Sequence, residues 1–274
     1  MKFDNNLYRG LIFKQFAVQK GMYFNNSIFE DYGSFYFSDN ITDEYWNLFI
    51  PENTYLILKE FDNIIKVINQ KEKEGYNVAI CVPSFIDNFD ILCEEIEDKK
   101  YNYKLLGEET WMIVDENIEY IEKTGIICKL VETDEEFEDY LNVFKNAYGG
   151  DKTEVSPYGT LDKAYMECII NNKYNNYIRK YVLYADNKPV SCATMNLISG
   201  IGGLYDLGTV PEARGNGYGT IINSFIVNDY FKSNSKFLFF QTERGSSVEK
   251  WYKKLNYKEA FYLRIYGKDS ENNE

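Results

Sequence analysis

The sequence predicts a protein of class α/β (α+β), in which amphipathic helices and strands follow one another along the chain. Three observations support this prediction. Residues 203–226 have the pattern of a strand, a glycine-rich turn and a helix with apolar residues at helical spacing. A second helical pattern at 56–74 leads to a short apolar run at 77–82 that indicates a strand. The order of elements restarts after residue 125, which is compatible with a duplicated architecture.

The first part of the chain contains three predicted helices with short strands between them. The predicted elements are a helix within 13–22, strands at 33–38 and 46–50, a helix at 56–74, a strand at 77–82, a helix at 85–97 and a strand at 110–114. Residues 115–125 are polar and charged, a composition that is typical of a linker. We therefore expect two domains, 1-125 and 126-274.

The second domain is predicted to begin with a strand at 126–131 and a capped helix. Thr133 and Glu136 form a capping box, in which a hydroxyl and a carboxylate satisfy backbone N–H groups reciprocally. The remaining predicted elements are a loop at 149–160, a helix at 161–171, a hairpin with strands at 181–185 and 190–197, a strand at 203–209, a helix that begins in the glycine-rich turn and a strand at 236–241. The tail after Gly267 is expected to be disordered.

Composition argues against several classes of function. The 274 residues include 30 basic and 43 acidic side chains, and the net charge of −13 argues against a nucleic-acid partner. The chain has no histidine, which removes histidine-dependent triads and histidine metal sites. Its five scattered cysteines are typical of free thiols in a reducing cytosol. We expect a cytoplasmic protein with no signal peptide, no membrane span and no metal.

The turn at 214–219, Arg-Gly-Asn-Gly-Tyr-Gly, is the strongest functional signal in the sequence. It places unpaired backbone N–H groups at the positive end of a helix, an arrangement that binds anions and most often phosphate. A P-loop is excluded because Gly219 is followed by Thr220 and Ile221, where a P-loop requires Lys and then Ser or Thr. A Rossmann turn is excluded because the glycines do not have the spacing G-x-G-x-x-G.

The turn resembles motif A of the GNAT superfamily of N-acetyltransferases. In that motif a Gln or Arg is followed, after two residues, by a Gly and then by a Gly or Ala one residue further on. Arg214, Gly217 and Gly219 fill these positions, and Pro211 lies three residues before the arginine. In the family the amides of this loop hold the pyrophosphate of acetyl-coenzyme A (acetyl-CoA).

A second segment, 245–267, is similar to the last conserved segment of the same family, a helix, a turn and a strand. Tyr252, Leu255 and Tyr257 stand where the family has its tyrosine, its leucine and its closing aromatic residue. Asn256 replaces the usual glycine, which is compatible with the motif because Asn also adopts the left-handed backbone conformation at a helix end.

The resemblance implies the GNAT fold, a mixed, mostly antiparallel, twisted sheet flanked by helices. It covers 126–274 strongly and 1–125 weakly, so the chain is similar to a tandem GNAT protein whose first half has lost the coenzyme loop. An unrelated α+β cap is the alternative for that half. The implied activity is transfer of an acetyl group from acetyl-CoA, a cosubstrate, to a primary amine by direct attack in a ternary complex. The alternatives are a non-catalytic GNAT-fold protein that binds acyl-CoA, and a transferase for a longer acyl group.

The resemblance places the coenzyme contacts in three segments. These are Leu207, Gly208 and Thr209 on the strand, Arg214, Gly215, Asn216, Gly217, Tyr218, Gly219 and Thr220 in the turn, and Ser246 and Ser247 before the last helix. The strand amides are expected to stabilise charge on the acetyl carbonyl. Arg214 is expected either to face phosphate or to brace the loop, and the two serines can instead cap the helix.

The catalytic candidates are Tyr252, Glu243 and Asp206. Tyr252 matches the family's tyrosine, which implies that it gives a proton to the departing thiolate. Many relatives carry a glutamate base where this chain has Gln241, a side chain that cannot take a proton. Glu243 and Asp206 are therefore both open as the general base, Asp206 directly or through water. The amine acceptor and the oligomeric state are left open by the sequence.

Overall fold

A computed structural model describes residues 5–19, 23–24, 26–98, 100–149, 163–173, 175–198, 200–232 and 236–268. Its contacts divide the chain into two compact units. The first unit comprises Met1–Met112, Gln241–Lys253 and Glu259–Glu274, and the second comprises Ile113–Phe240 and Lys254–Lys258. Much of the chain after residue 240 thus belongs to the first unit. The assignment of separate roles to 1-125 and 126-274 stays a prediction.

The first unit contains four helices and a mixed sheet within its described residues. Its helices are α1 (Asn5–Gln19), α2 (Thr54–Lys73), α3 (Phe89–Ile96) and α7 (Ser247–Lys254, up to Lys253). Its strands are β1 (Asn26–Glu30), β2 (Gly33–Phe37), β3 (Leu48–Pro51), β4 (Ala79–Pro83), β5 (Tyr103–Val114, up to Met112) and β11 (Lys258–Lys268, from Glu259). The strand order is β1-β2-β3-β4-β11-β5, with β3 parallel to β4 and β11 antiparallel to β4.

The core of the first unit lies between α2, α3 and the sheet. Helix α2 begins after Asn53, whose side chain accepts a hydrogen bond from the N–H of Leu56. It buries Phe61 and Ile64 in a cluster that includes Phe35 and Phe37 of β2. Strand β5 begins at Tyr103, earlier than the predicted strand at 110–114. The prediction was too short because the exposed residues 104–106 do not alternate between apolar and polar side chains and have the sequence pattern of a turn.

The second unit contains the strand–turn–helix of the glycine-rich turn. Its strands are β6 (Ile126–Leu130), β7 (Ile178–Ala185), β8 (Lys188–Ile198), β9 (Ile201–Thr209) and the start of β10 (Phe237–Glu243, up to Phe240). Its helices are α4 (Asp134–Tyr148), α5 (Lys163–Asn171) and α6 (Tyr218–Phe231). The strand order is β10-β9-β8-β7-β6, in which β10 and β9 are parallel and the other pairs are antiparallel.

Local sequence signals explain the ends of these elements. The predicted capping box is confirmed, since Thr133 Oγ1 accepts from the N–H of Glu136 and the Glu136 carboxylate accepts from the N–H of Thr133. The predicted hairpin is also confirmed, and its turn residues Asp186 and Asn187 have φ of 49° and 64°, the left-handed values of a type I′ turn. Asn256 has the expected positive φ, 65°.

Two predicted segments fall largely outside the described residues, namely the loop at 149–160, of which only Gly149 is described, and the tail after Gly267, of which only Lys268 is described. Among the helices that are described, none combines the length and the apolar character needed to cross a membrane. Cys81, Cys93, Cys128 and Cys192 are buried free thiols, and Cys168 is a half-buried one.

Candidate active site

A β-bulge interrupts the pairing of β8 with β9 at Asp206. Tyr205 and Gly208, three residues apart on β9, pair with residues that are only two apart on β8, so Asp206 and Leu207 lie opposite a single residue. Asp206 has φ of 54°, in the left-handed region that Asp adopts more readily than most non-glycine residues. Bulges of this kind re-aim side chains and are common beside active sites.

The pairing between β9 and β10 is short. The two strands run parallel, and their register joins Ile201 to Phe237 and Gly203 to Phe239. Within the described part of the second unit the register ends there, whereas β9 continues to Thr209. The last residues of β9 therefore have backbone groups outside the ladder with β10, and such groups can bind a ligand.

The glycine-rich turn opens α6 with exposed backbone N–H groups. Gly215 and Gly217 have φ of 82° and 80°, a conformation in which an L side chain is strained. A Cβ atom at either position would meet no atom within 4 Å, so the space in front of the turn is open. Gly217 is the N-cap of α6 and no side chain caps the helix, which leaves the first amides of α6, beginning at Tyr218, without a helical acceptor. This is the geometry of an anion site.

Arg214 braces the turn from outside. Its Nε donates to the carbonyl oxygen of Thr209 at 3.1 Å, and its Nη2 donates to that of Ala147 at 3.0 Å. The side chain of Asn216 donates to the carbonyl oxygen of Ala213 at 3.0 Å. Arg214 was expected either to face phosphate or to brace the loop, and these contacts are those of a brace. The turn is thereby tied to β9 and α4 through side chains, while its own N–H groups stay available.

Gly208 allows α4 to approach β9 closely. A Cβ atom at this position would lie 2.7 Å from a ring carbon of Tyr148 and 2.8 Å from Cβ of Ala147. The Tyr148 hydroxyl donates to the carbonyl oxygen of Leu207 at 2.7 Å, and the hydroxyls of Thr209 and Ser191 lie 2.8 Å apart. The predicted residues 207–209 are therefore fixed by α4 on one side and β8 on the other.

The carboxyl group of Asp206 is the centre of a hydroxyl network. Tyr165 on α5 donates to its Oδ1 at 3.1 Å, and Tyr140 on α4 donates to its Oδ2 at 3.3 Å. The Tyr140 and Thr194 hydroxyls lie 2.7 Å apart. Burial raises the pKa of Asp206, and the hydroxyl donors and Lys180 oppose this shift. A half-buried carboxyl with a raised pKa is suited to accept a proton.

Lys180 lies on the same face of the sheet, directly opposite Thr194 in the register of β7 with β8. Its Nζ donates to the carbonyl oxygens of Asn172 at 2.9 Å and Lys173 at 3.5 Å, immediately after α5. Burial lowers its pKa to about 8, and the charge of Asp206 acts in the opposite direction. The ammonium group therefore binds the negative end of α5, the helix that carries Tyr165.

The segment before α7 belongs to the first unit, and there Ser246 has the capping role. Ser246 Oγ accepts from the N–H of Glu249 at 3.1 Å, and the Glu249 carboxylate accepts from the N–H of Gly245. The carboxylate thus accepts from the residue before Ser246, one position earlier than in a standard capping box. Ser247 and Glu243 are exposed, and the side chain of Gln241 donates to that of Gln15.

Tyr252 is buried in the first unit, with 4% of its surface exposed. Burial raises the pKa of its hydroxyl, so the group keeps its proton at neutral pH. Its ring lies 4.5 Å from that of Trp251, centroid to centroid. Trp251 is only half-buried, so Tyr252 has the more buried position on α7.

Sequence reasoning did not identify the partners of Asp206. Tyr140 and Tyr165 are 66 and 41 residues away from it along the chain. Tyr140 lies on a helical face whose apolar pattern already accounts for it, and Lys180 and Thr194 lie in strands that are mainly apolar. A polar residue within an apolar strand pattern is the signal that would have indicated Lys180, because a buried charge requires a partner.

Neither protein-family models nor curated proteins give a match to this sequence. Solved structures do. The chain is similar to a GCN5-related N-acetyltransferase from Kribbella flavida, with a TM-score of 0.67 and 12% identity over 95% of this chain and 96% of that one. It is similar to a GCN5-related N-acetyltransferase from Sphaerobacter thermophilus, with a TM-score of 0.66 and 8% identity over 93% and 84%. It is also similar to a tandem GNAT protein from the clavulanic acid biosynthesis pathway, with a TM-score of 0.58 and 8% identity over 88% of this chain and 79% of that one. The chain therefore has the GNAT fold.

Proposed function

We propose that the protein is an acetyl-CoA-dependent N-acetyltransferase that acts on a primary amine. The observation that supports this most directly is the glycine-rich turn at the start of α6, which follows a bulged strand within a GNAT fold. The positive φ of Gly215 and Gly217 and the open space in front of them fit a bound pyrophosphate. The proposed coenzyme-binding segment therefore lies within residues 126–274.

In the proposed reaction, the amine nitrogen attacks the acetyl carbonyl carbon, and the carbon–sulfur bond then breaks. The backbone at the end of β9, residues 207–209, supplies hydrogen-bond donors to the carbonyl oxygen. Asp206 accepts the proton that the amine loses, and Tyr252 gives a proton to the sulfur. We prefer Asp206 to Glu243 as the base because burial raises the pKa of Asp206, whereas Glu243 is exposed.

The test is an acetyl-transfer screen of the full chain over a panel of primary amines, read by release of free thiol and by the mass of the acetylated amine. Thiol release that depends on the amine is expected. The second candidate function is a protein that binds acyl-CoA without transferring the acyl group, and the hydrogen bond that engages Gln241 at the usual base position favours it. Binding of acetyl-CoA without thiol release over the whole panel would support that alternative.

Arg214 provides a prediction about the coenzyme loop. Both Arg214→Met and Arg214→Lys should weaken acetyl-CoA binding by about tenfold, because neither side chain can donate to two carbonyl groups in the way a guanidinium can. Calorimetric titration with acetyl-CoA measures the effect. If lysine preserved the affinity and methionine did not, Arg214 would act through its charge and not as a brace.

Tyr252 provides a second prediction. Tyr252→Phe should lower turnover by about 10²–10⁴ while acetyl-CoA affinity changes little, as expected for loss of a general acid. Tyr103→Phe is the matched control, because Tyr103 is also a buried tyrosine of the first unit, with 5% exposed. Turnover of the Tyr252 variant within a few-fold of wild type at saturating acetyl-CoA, with chemistry rate-limiting, would exclude the acid role.

A further inference from the structure

A buried ammonium group contacts the end of α5. Lys180 on β7 has 3% of its surface exposed, and its Nζ donates to the carbonyl oxygens of Asn172 at 2.9 Å and Lys173 at 3.5 Å. These two residues directly follow the last residue of α5. Carbonyl groups at the C-terminal end of a helix have no donor within the helix, and the helix dipole favours a cation there. Lys180 therefore caps α5 from the neighbouring sheet.

Helix α4 contributes to the same junction through Phe137, which is buried with 2% exposed. Lys180 Nζ lies 5.6 Å from the centroid of the Phe137 ring, and Lys173 Nζ lies 4.7 Å from it. Lys173 also pairs with Asp134, the first residue of α4, at 2.6 Å. Ammonium groups over an aromatic face are attracted to it, more strongly where water is excluded. The end of α5 is thus fixed by β7 and by α4 together.

Tyr165, near the start of α5, contacts the proposed base. Its hydroxyl donates to Oδ1 of Asp206 at 3.1 Å. The helical hydrogen bonds continue to Asn172, which lies about two turns after Tyr165 and therefore on the same side of the helix. Met166 and Ile169, between them, are buried with 0% and 1% exposed. Because a packed helix moves as one body, a shift at its fixed end would displace the Tyr165 hydroxyl from the carboxylate.

We propose, on the basis of the function proposed above, that Lys180 is a positioning residue for acetyl transfer. It holds the end of α5, and α5 holds the Tyr165 hydroxyl on Asp206, the proposed base. Lys180 exchanges no proton with the substrate and acts through Asp206. Its removal should therefore lower kcat and leave the binding of acetyl-CoA nearly unchanged, since the glycine-rich turn is not part of the junction.

The groups that face Asp206 come from α4, α5, β7 and β8. They are the hydroxyls of Tyr140, Tyr165 and Thr194, the thiol of Cys192 and the ammonium group of Lys180. Burial raises the pKa of the Cys192 thiol, so this group stays neutral. The hydroxyl donors and the cation favour the ionised carboxylate. Loss of Lys180, and with it of the Tyr165 contact, should therefore raise the pKa of Asp206 further.

The experiment compares Lys180→Met with Lys180→Arg in the full chain, with one amine and acetyl-CoA as substrates. Methionine removes the charge and the donors, so kcat should fall by about tenfold or more, with KM for acetyl-CoA within about twofold of wild type. The acidic limb of the kcat/KM profile should move to higher pH by about one pH unit. Arginine keeps a cation with several donors, so kcat should stay within about threefold of wild type. Thermal unfolding of each variant tests its fold.

Lys129→Met is the matched control. Lys129 belongs to the same unit, pairs with Glu136 at 3.3 Å and lies 5.5 Å from the centroid of the Tyr184 ring. Its replacement should leave kcat and the pH profile as in wild type. A double-mutant cycle uses Tyr165→Phe. Adding it to Lys180→Met should lower kcat by no more than about twofold, because both changes remove the same contact with the base.

Titration of the free protein keeps the two proposals separable. The ¹³C NMR resonance of the Asp206 carboxyl, assigned by its loss in Asp206→Asn, reports ionisation without turnover. A higher midpoint in Lys180→Met than in wild type, without acetyl transfer by either, would support this junction and contradict the proposed transferase activity. An unchanged midpoint, additive losses of kcat, or a folded arginine variant as slow as the methionine variant would overturn this inference and leave acetyl transfer standing. If Lys180→Met does not fold, kcat and the midpoint of the arginine variant decide between these outcomes.

Discussion

Replacing Gly217 with aspartate should abolish acetyl-CoA binding at micromolar concentrations. The new carboxylate would stand at the N-cap of α6, where the proposed pyrophosphate binds. A like charge about 4 Å away costs about 4 kcal/mol at an effective dielectric constant of 20, which corresponds to about 10³ in affinity. Asp is chosen because it tolerates the φ of 80° at this position better than other charged residues.

Gly217→Asn is the matched control, because Asn has the same shape and the same tolerance of positive φ without the charge. Its affinity should fall by no more than about tenfold, and because the two variants differ only in the charge, their affinities should differ by about 10³. S-acetylpantetheine, which lacks the phosphates, should bind both variants equally. Calorimetry measures the affinities, and thermal unfolding tests the fold. Equal loss of acetyl-CoA affinity in the two variants would show that bulk and not charge is responsible, which would argue against a phosphate at this turn.

Asp206→Asn should lower turnover by about 10²–10⁴, because an amide cannot accept the proton of the attacking amine. In the wild type, burial places the pKa of Asp206 above its ordinary value of 3.8. The carboxylate is ionised above that raised pKa, so kcat/KM should fall as the pH decreases through it. The variant should lack this acidic limb. A pH profile of kcat/KM for one amine at saturating acetyl-CoA measures both effects.

Stability separates this catalytic role from a structural one. Since folding raises the pKa of Asp206, the ionised carboxylate makes the folded state less stable as the pH rises from the ordinary pKa of 3.8 through the raised value. At neutral pH the free energy of unfolding of Asp206→Asn should therefore lie within about 1 kcal/mol of the wild-type value, despite the altered hydrogen bonds. Asp139→Asn is the control, since Asp139 also accepts a tyrosine hydroxyl, from Tyr184 at 2.8 Å. Turnover that falls equally in both aspartate variants would contradict a specific role for Asp206.

The sequence predicted those features that depend on residues close together in the chain. The capping box at Thr133, the hairpin turn at Asp186 and the left-handed Asn256 each follow from local backbone preferences. The order of strands and helices around the glycine-rich turn follows from hydrophobic periodicity in the same way. The GNAT fold could be predicted because the resemblance to motif A lies within six consecutive residues, 214–219.

Features that depend on contacts between residues far apart in the sequence could not be predicted. The pKa of Asp206 depends on its burial, and the position of its carboxyl depends on Tyr140 and Tyr165, which are brought to it by α4 and α5. The brace formed by Arg214 depends on a carbonyl 67 residues away, at Ala147. The extent of β5 depends on pairing within the sheet, since its exposed residues have no strand pattern of their own.

The position of strand β11 late in the chain affects how the first unit folds during synthesis. It pairs with β4, and the N–H of Tyr262 donates to the Ser84 hydroxyl, 178 residues earlier in the chain. A growing polypeptide exposes β4 long before its partner leaves the ribosome, so the sheet of the first unit cannot close during most of translation. Until then β4 presents an unpaired edge of buried-type residues, Ile80 and Val82 among them. The N-terminal part of this chain therefore completes its folding only once β11 has left the ribosome, and nascent chains stalled before residue 259 are the species that chaperones would need to protect.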